Sequence, residues 1–167
     1  MSRFRGSSLL DVGCLDSLII PLAWKKYPPS KPFLVGIDTA KDVSTQMSRK
    51  YPYALFYNTD LFSFQSESLF DYVVLGEVIE HIENPQLAIM KAMQLLNPGG
   101  ILALSTPWEE TELGEVDKER HIWSFSPQDI RDMLEPYGTV EIQRLGSQWF
   151  PRYRYAFPSI IAFGTKK

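Results

Sequence analysis

The chain is short of the residues that several kinds of protein depend on. It has one cysteine, Cys14, so no internal disulfide can form and a reducing compartment suits it. Cys14 lies in an apolar run, which favours a small buried side chain over a nucleophile. There are only two histidines, His81 and His121, so imidazole chemistry has to use one or both. No apolar run reaches the roughly 18 residues of a membrane span, and the N-terminus has no signal-like apolar segment. The expectation is a cytoplasmic protein with no membrane association. Positive charge is not in excess: the formal net charge is -3 and the pI is near 5.4, which argues against nucleic acid as a partner. Arg144, Arg152 and Arg154 form a local basic cluster, read as solvated surface. Repeats and low-complexity tracts are missing too. What remains, 167 residues with 44% hydrophobic content, is enough for one domain over residues 1–167 with its own core.

Short apolar runs alternate with helix-like segments. Leu9 to Cys14 reads as a buried strand ending in a glycine turn, Phe33 to Asp38 as a second strand closed by an acid, and Ala54 to Tyr57 as a third. Phe70 to Leu75 is the fourth and Ile101 to Ser105 the fifth, with two more expected over Val140 to Leu145 and Ser159 to Phe163. Asn84-Pro85 opens a helix that Asn97-Pro98-Gly99-Gly100 stops, and Ser126-Pro127 opens another that ends near Pro136 and Gly138. Such alternation implies an α/β fold: a mostly parallel seven-stranded sheet with helices on both faces and an antiparallel edge.

Ligands of such sheets bind beyond the carboxyl ends of the strands, and acids and glycines collect there: Asp11, Gly13, Asp38, Asp60, Gly76 and Glu77. Asp38 suits a ribose acceptor or a helix N-cap. Asp60 suits an acceptor for an adenine amine or a turn residue. Glu77, Glu80 and His81 have the i, i+3, i+4 spacing of one helical face. With His121 they are candidates for a metal or acid/base site, and the alternatives for the histidines are a general base or a structural role.

Leu10-Asp11-Val12-Gly13-Cys14, Val35-Gly36-Ile37-Asp38, Phe70-Asp71-Tyr72-Val73-Val74, Glu77-Val78-Ile79-Glu80-His81 and Leu96-Asn97-Pro98-Gly99-Gly100 together resemble, in order and spacing, the class I S-adenosylmethionine-dependent methyltransferases. The resemblance runs from about residue 9 to 135 and implies a Rossmann-like fold. It implies S-adenosylmethionine as cofactor, with Asp11, Gly13 and Cys14 at its methionine end. Asp38 would lie on the ribose, Asp60 and Leu61 around the adenine, and Gly76 on the pocket wall. Glu-x-x-Glu-His with a later histidine resembles two metal-assisted groups within that family. One methylates catechol-like ubiquinone precursors and the other the terminal ribose 2′-hydroxyl of small RNAs. Glu77, Glu80, His81 and His121 would then be both catalytic residues and ligands of a divalent cation such as magnesium.

The chain departs from the family at the glycine loop, where Leu15 and Ser17 stand in place of glycines. It also lacks the family's N-terminal cap helices. That leaves room for a covering partner or a homo-oligomer, or for a chain that is part of a longer one. The leading expectation is methyl transfer to a small-molecule acceptor, with O-methylation favoured. The alternatives are a non-catalytic binding or regulatory protein that kept the fold, and an RNA 2′-O-methyltransferase.

Overall fold

The computed structural model describes residues 8–16, 18–26, 32–108, 121–150 and 155–167, with backbone alone for 146–150 and 155–158. Strand β1 (Ser8–Val12) is buried along its whole length, Ser8 and Asp11 included, as befits a strand covered on both faces. It is followed by α1 (Ile19–Lys26), β2 (Phe33–Asp38), α2 (Val43–Lys50), β3 (Leu55–Asn58), β4 (Phe70–Gly76), α3 (Pro85–Gln94), β5 (Leu96–Pro107), α4 (Pro127–Leu134), β6 (Gly138–Phe150) and β7 (Tyr155–Lys166). Short 3₁₀ helices occupy Ile79–His81 and Glu135–Tyr137.

The seven strands form one sheet in the order β3-β2-β1-β4-β5-β7-β6. The first five in that order run parallel, while β7 pairs antiparallel with both β5 and β6. Alternate residues of each inner strand serve opposite faces. Leu9, Leu34 and Tyr72 pack with Ile20, Ala23, Val43 and Met47 of α1 and α2. Leu10, Val35 and Val73 pack with Ala88, Ile89, Met93, Ile130 and Leu134 of α3 and α4. The chain leaves β1 toward β2 on one side and β4 toward β5 on the other, so the switch point lies between the carboxyl ends of β1 and β4.

Local chemistry sets the helix starts. Asn84 Oδ1 accepts the N–H of Leu87 at 3.0 Å, with Pro85 in the first turn. Ser126 Oγ accepts from the N–H of Asp129 while the Asp129 carboxylate accepts from the N–H and hydroxyl of Ser126, a closed capping box. That carboxylate is held below the usual range by the Ser126 hydroxyl and N–H.

Four boundaries differ from expectation. Strand β5 begins at Leu96, and its pairing with β4 jumps from Phe70–Leu96 to Tyr72–Ile101. Asn97 to Gly100 thus bulge from the strand rather than precede it, with Gly99 at φ 76°. The hairpin strands β6 and β7 both run past their expected limits because each satisfies the other's backbone. The largest difference lies after β4: no helical turn joins Glu77 to His81. Glu77 sits at φ 55° before a 3₁₀ helix of only three residues. Among the described residues no helix is long and apolar enough to cross a membrane.

Candidate functional site

The loop leaving β1 is shaped by close backbone approach. Gly13 lies at φ 67°, and a Cβ there would meet Cγ2 of Val78 at 2.7 Å, so this position needs glycine on both counts. The N–H groups of Gly13 and Cys14 both donate to the carbonyl of Ile37, at 2.9 and 3.1 Å. Asp38 Oδ2 accepts the N–H of Leu15 at 2.8 Å and Oδ1 accepts the N–H of Ala40 at 2.7 Å. Asp38 is therefore not the N-cap of α2, a position held by Asp42. It ties the loop after β1 to the loop after β2, and each of its oxygens keeps a lone pair for a ligand hydroxyl. Beside it the Asn58 amide donates to the carbonyls of Asp38 and Ala40.

The other candidates of this half are distributed as follows. Asp11 is buried within β1. Cys14 is buried as well, and its thiol is pushed up to about 12, first by burial and then by the carboxylates of Asp11 and Asp38. A nucleophilic role is excluded on those grounds. Asp60 accepts from the N–H groups of Phe62 and Ser63 and from the Ser63 hydroxyl. These bonds hold its carboxyl below the usual range and make it a turn residue. Leu61 lies in the core. Gly76 is exposed at the end of β4, where the nearest atom to an added Cβ is Ser105 Oγ at 3.9 Å. Ser17, Arg152 and Arg154 lie outside the described residues.

The second half of the site lies across the switch point. Glu80 is 1% exposed, and among the described residues neither of its oxygens has a hydrogen-bond partner of ordinary geometry. Burial, and then the charge of Glu77, push its carboxyl up to about 8. The Thr106 hydroxyl, also unpaired, opposes the rise only weakly. Burial raises Glu77 too, against the Ser105 hydroxyl and the charge of His81.

The chain then returns to this place from far along the sequence. The carbonyl of Glu80 accepts the N–H groups of Ile122 and Trp123, at 2.8 and 3.2 Å. The indole N–H of Trp123 donates to the carbonyl of Ile82 at 2.9 Å. These bonds fasten His121 beside His81, with ring centroids 4.8 Å apart and the planes at 66°. One ligand atom each from Glu80, His81 and His121 lie within 4.8 Å of one another. A buried carboxylate without a partner, facing two imidazoles, fits a divalent cation, and one oxygen with two nitrogens suits manganese, iron or zinc better than magnesium. Glu77 is not in this group, because the backbone turns at Glu77 instead of continuing a helix.

Four residues of the site escape sequence reasoning: Val78 against Gly13, Ser105 and Thr106 at the acids, and Trp123 as the anchor of His121. Only Ser105-Thr106, polar residues closing an apolar strand, carried a visible signal. A groove of about 580 Å³ floored by Phe33, Val35, Tyr57 and Phe64 includes none of the candidate residues. It lies over β2 and β3, where no helix joins β3 to β4.

Three comparisons bear on this geometry. The sequence profile of a family described as a methyltransferase domain matches residues 1–143. The ubiquinone biosynthesis O-methyltransferase of Rickettsia canadensis is 32% identical over 154 residues, 82% of this chain and 64% of that protein. The mitochondrial protein of the same name from Rattus norvegicus is 29% identical, over 80% of this chain and 44% of that protein. The chain thus spans less than two thirds of the length of these relatives. Among solved structures, the N-methyltransferase NodS from Bradyrhizobium japonicum in complex with S-adenosyl-L-homocysteine superposes with a TM-score of 0.70 at 20% identity, over 96% of this chain and 78% of that one. The YcgJ protein from Bacillus subtilis gives 0.76 at 14%, over 96% and 92%. At these identities the likeness is one of fold.

Proposed function

Because this chain belongs to the methyltransferase-domain family, we propose that it transfers a methyl group from S-adenosylmethionine to a hydroxyl of a small acceptor, assisted by a divalent cation. The observation that carries the reading is the buried, unpartnered Glu80 carboxylate facing His81 and His121 beside the switch point. The relatives named as O-methyltransferases support oxygen as the atom methylated.

The fit of the cofactor rests on the loop after β1. Gly13 brings the backbone close to the switch point, and the remaining lone pairs of the Asp38 carboxylate can accept the two ribose hydroxyls. When bound there, S-adenosylmethionine supplies a methyl group on a sulfonium, which needs a nucleophile held in line and little else. Glu80, His81 and His121 would hold the cation, which supplies Lewis acidity toward an acceptor hydroxyl. Glu77, bonded to Ser105 and within electrostatic reach of His81, offsets positive charge there. Trp123 and Ile122, hydrogen-bonded to the Glu80 carbonyl, keep His121 in place. With both imidazoles committed to the cation, the acceptor proton leaves to solvent on the exposed side of His81.

Calorimetric titration of chelator-treated protein with S-adenosylmethionine, followed by a methyl-transfer assay on catechol with and without manganese, tests the reading. Micromolar cofactor binding and metal-dependent turnover are expected. Turnover that persists in chelator would assign the histidines as a plain general base. A protein that binds no cofactor would reduce the chain to a binding module of this fold.

A further inference from the structure

Among the described residues of the loop after β1, Leu15 is the one non-glycine held at positive φ, at 35°. A leucine pays for that backbone, and such residues persist where something else fixes them. Here the fixing contact is the 2.8 Å bond from its N–H to Asp38 Oδ2. Packing does not do it: the side chain is 57% exposed, and Leu18 and Leu22 beyond it are exposed as well. Leu15 thus presents a branched apolar side chain at the carboxyl end of β1. It stands one hydrogen bond from the carboxylate that the proposed cofactor reading assigns to the ribose. Because the Leu15 N–H already sits on Oδ2, a hydroxyl accepted by that same oxygen lies beside the Leu15 backbone.

We infer that Leu15 narrows the entrance to the cofactor crevice and sets a weak affinity for the adenosyl ligand. This rests on the cofactor reading above. The strained leucine and the ligand compete for the space around Asp38, which a glycine would leave open. The same contact makes Asp38 serve two purposes, shaping the loop through Leu15 and receiving the ligand, so the size of residue 15 governs how well the second is done.

The test is calorimetric titration of the full chain and of Leu15→Gly and Leu15→Ala with S-adenosylhomocysteine, together with thermal unfolding of each without ligand. Leu15→Gly is expected to lower the Kd at least fivefold, about 1 kcal/mol, without a fall in Tm. Leu15→Ala, which removes the branch but keeps the strained Cβ, should fall between it and the wild type. Equal or weaker binding by the glycine variant, with the wild type binding measurably, overturns the inference and leaves the cofactor reading intact. If neither the wild type nor Leu15→Gly binds, the cofactor reading falls and this inference falls with it. If Leu15→Gly fails to fold, unchanged affinity in Leu15→Ala overturns the inference.

Discussion

Replacing Glu80 with glutamine isolates the cost of burying an acid for a ligand that is not always bound. The ordinary value of 4.5 rises to about 8 in the folded, metal-free protein. Below about pH 4.5 the carboxyl is neutral in both folded and unfolded chains and costs nothing. Between about 4.5 and 8 the folded chain keeps a proton that the unfolded chain has lost. Stability therefore falls as pH rises, by up to about 1.4 kcal/mol per pH unit. At pH 7 the accumulated loss is on the order of 3 kcal/mol, and above about pH 8 it is complete. Glutamine keeps the shape and removes the charge. Its buried amide costs about 1–3 kcal/mol unless Thr106 accepts from it, so the absolute gain at pH 7 is small, while the part of the pH dependence due to this carboxyl should disappear. The assay is thermal unfolding of chelator-treated wild type and Glu80→Gln from pH 5 to 8.5. The two curves should diverge with rising pH, by roughly 8–15 °C across the range for a chain of this size. Manganese at pH 7.5 should then raise the Tm of the wild type and leave the variant where it was. Parallel pH profiles, or equal stabilisation of both by manganese, would refute the reasoning.

Gly13→Ala forces a Cβ to within 2.7 Å of Val78 Cγ2 at φ 67°. We expect a loss of about 1–3 kcal/mol in urea unfolding, largely recovered by Val78→Ala in the same chain if the clash is the cause. His81→Ala and His121→Ala should each lower turnover at least tenfold while leaving S-adenosylhomocysteine affinity within twofold, read by calorimetry beside the activity assay; a loss of cofactor affinity in either would move that histidine to the other half of the site. Ser126→Ala opens the capping box of α4 and should cost about 1 kcal/mol, measured by urea unfolding at pH 7.

Much of the fold was legible because its elements announce themselves locally. The short, mostly apolar runs of β1, β2 and β4, bounded by glycines and acids, read as covered strands, and the Asn84-Pro85 and Ser126-Pro127 starts carry their own caps. Strand-end acids marked the end of the sheet where the candidate site lies. The site was less legible. Glu77-x-x-Glu80-His81 reads as a helical face only if the backbone stays helical, and a left-handed Glu77 breaks that premise. Asp38 offered two local roles, and the structure gave it a third, since its partners Leu15 and Ala40 lie on different loops.

The sequence by itself determined the order of strands and helices, the slight excess of negative charge, and the stock of titratable groups from which a site could be made. Those properties depend on neighbours within a turn or two of chain, or on composition alone. Only the tertiary structure decided which of those groups meet. Trp123 and Ile122 dock on the carbonyl of Glu80 and carry His121 to His81. The packing of the 3₁₀ turn buries Glu80 with no partner of ordinary geometry among the described residues, and the end of β2 clasps Leu15 in a conformation that leucine disfavours. Each depends on hydrogen bonds between segments far apart in sequence, whose geometry no local pattern encodes.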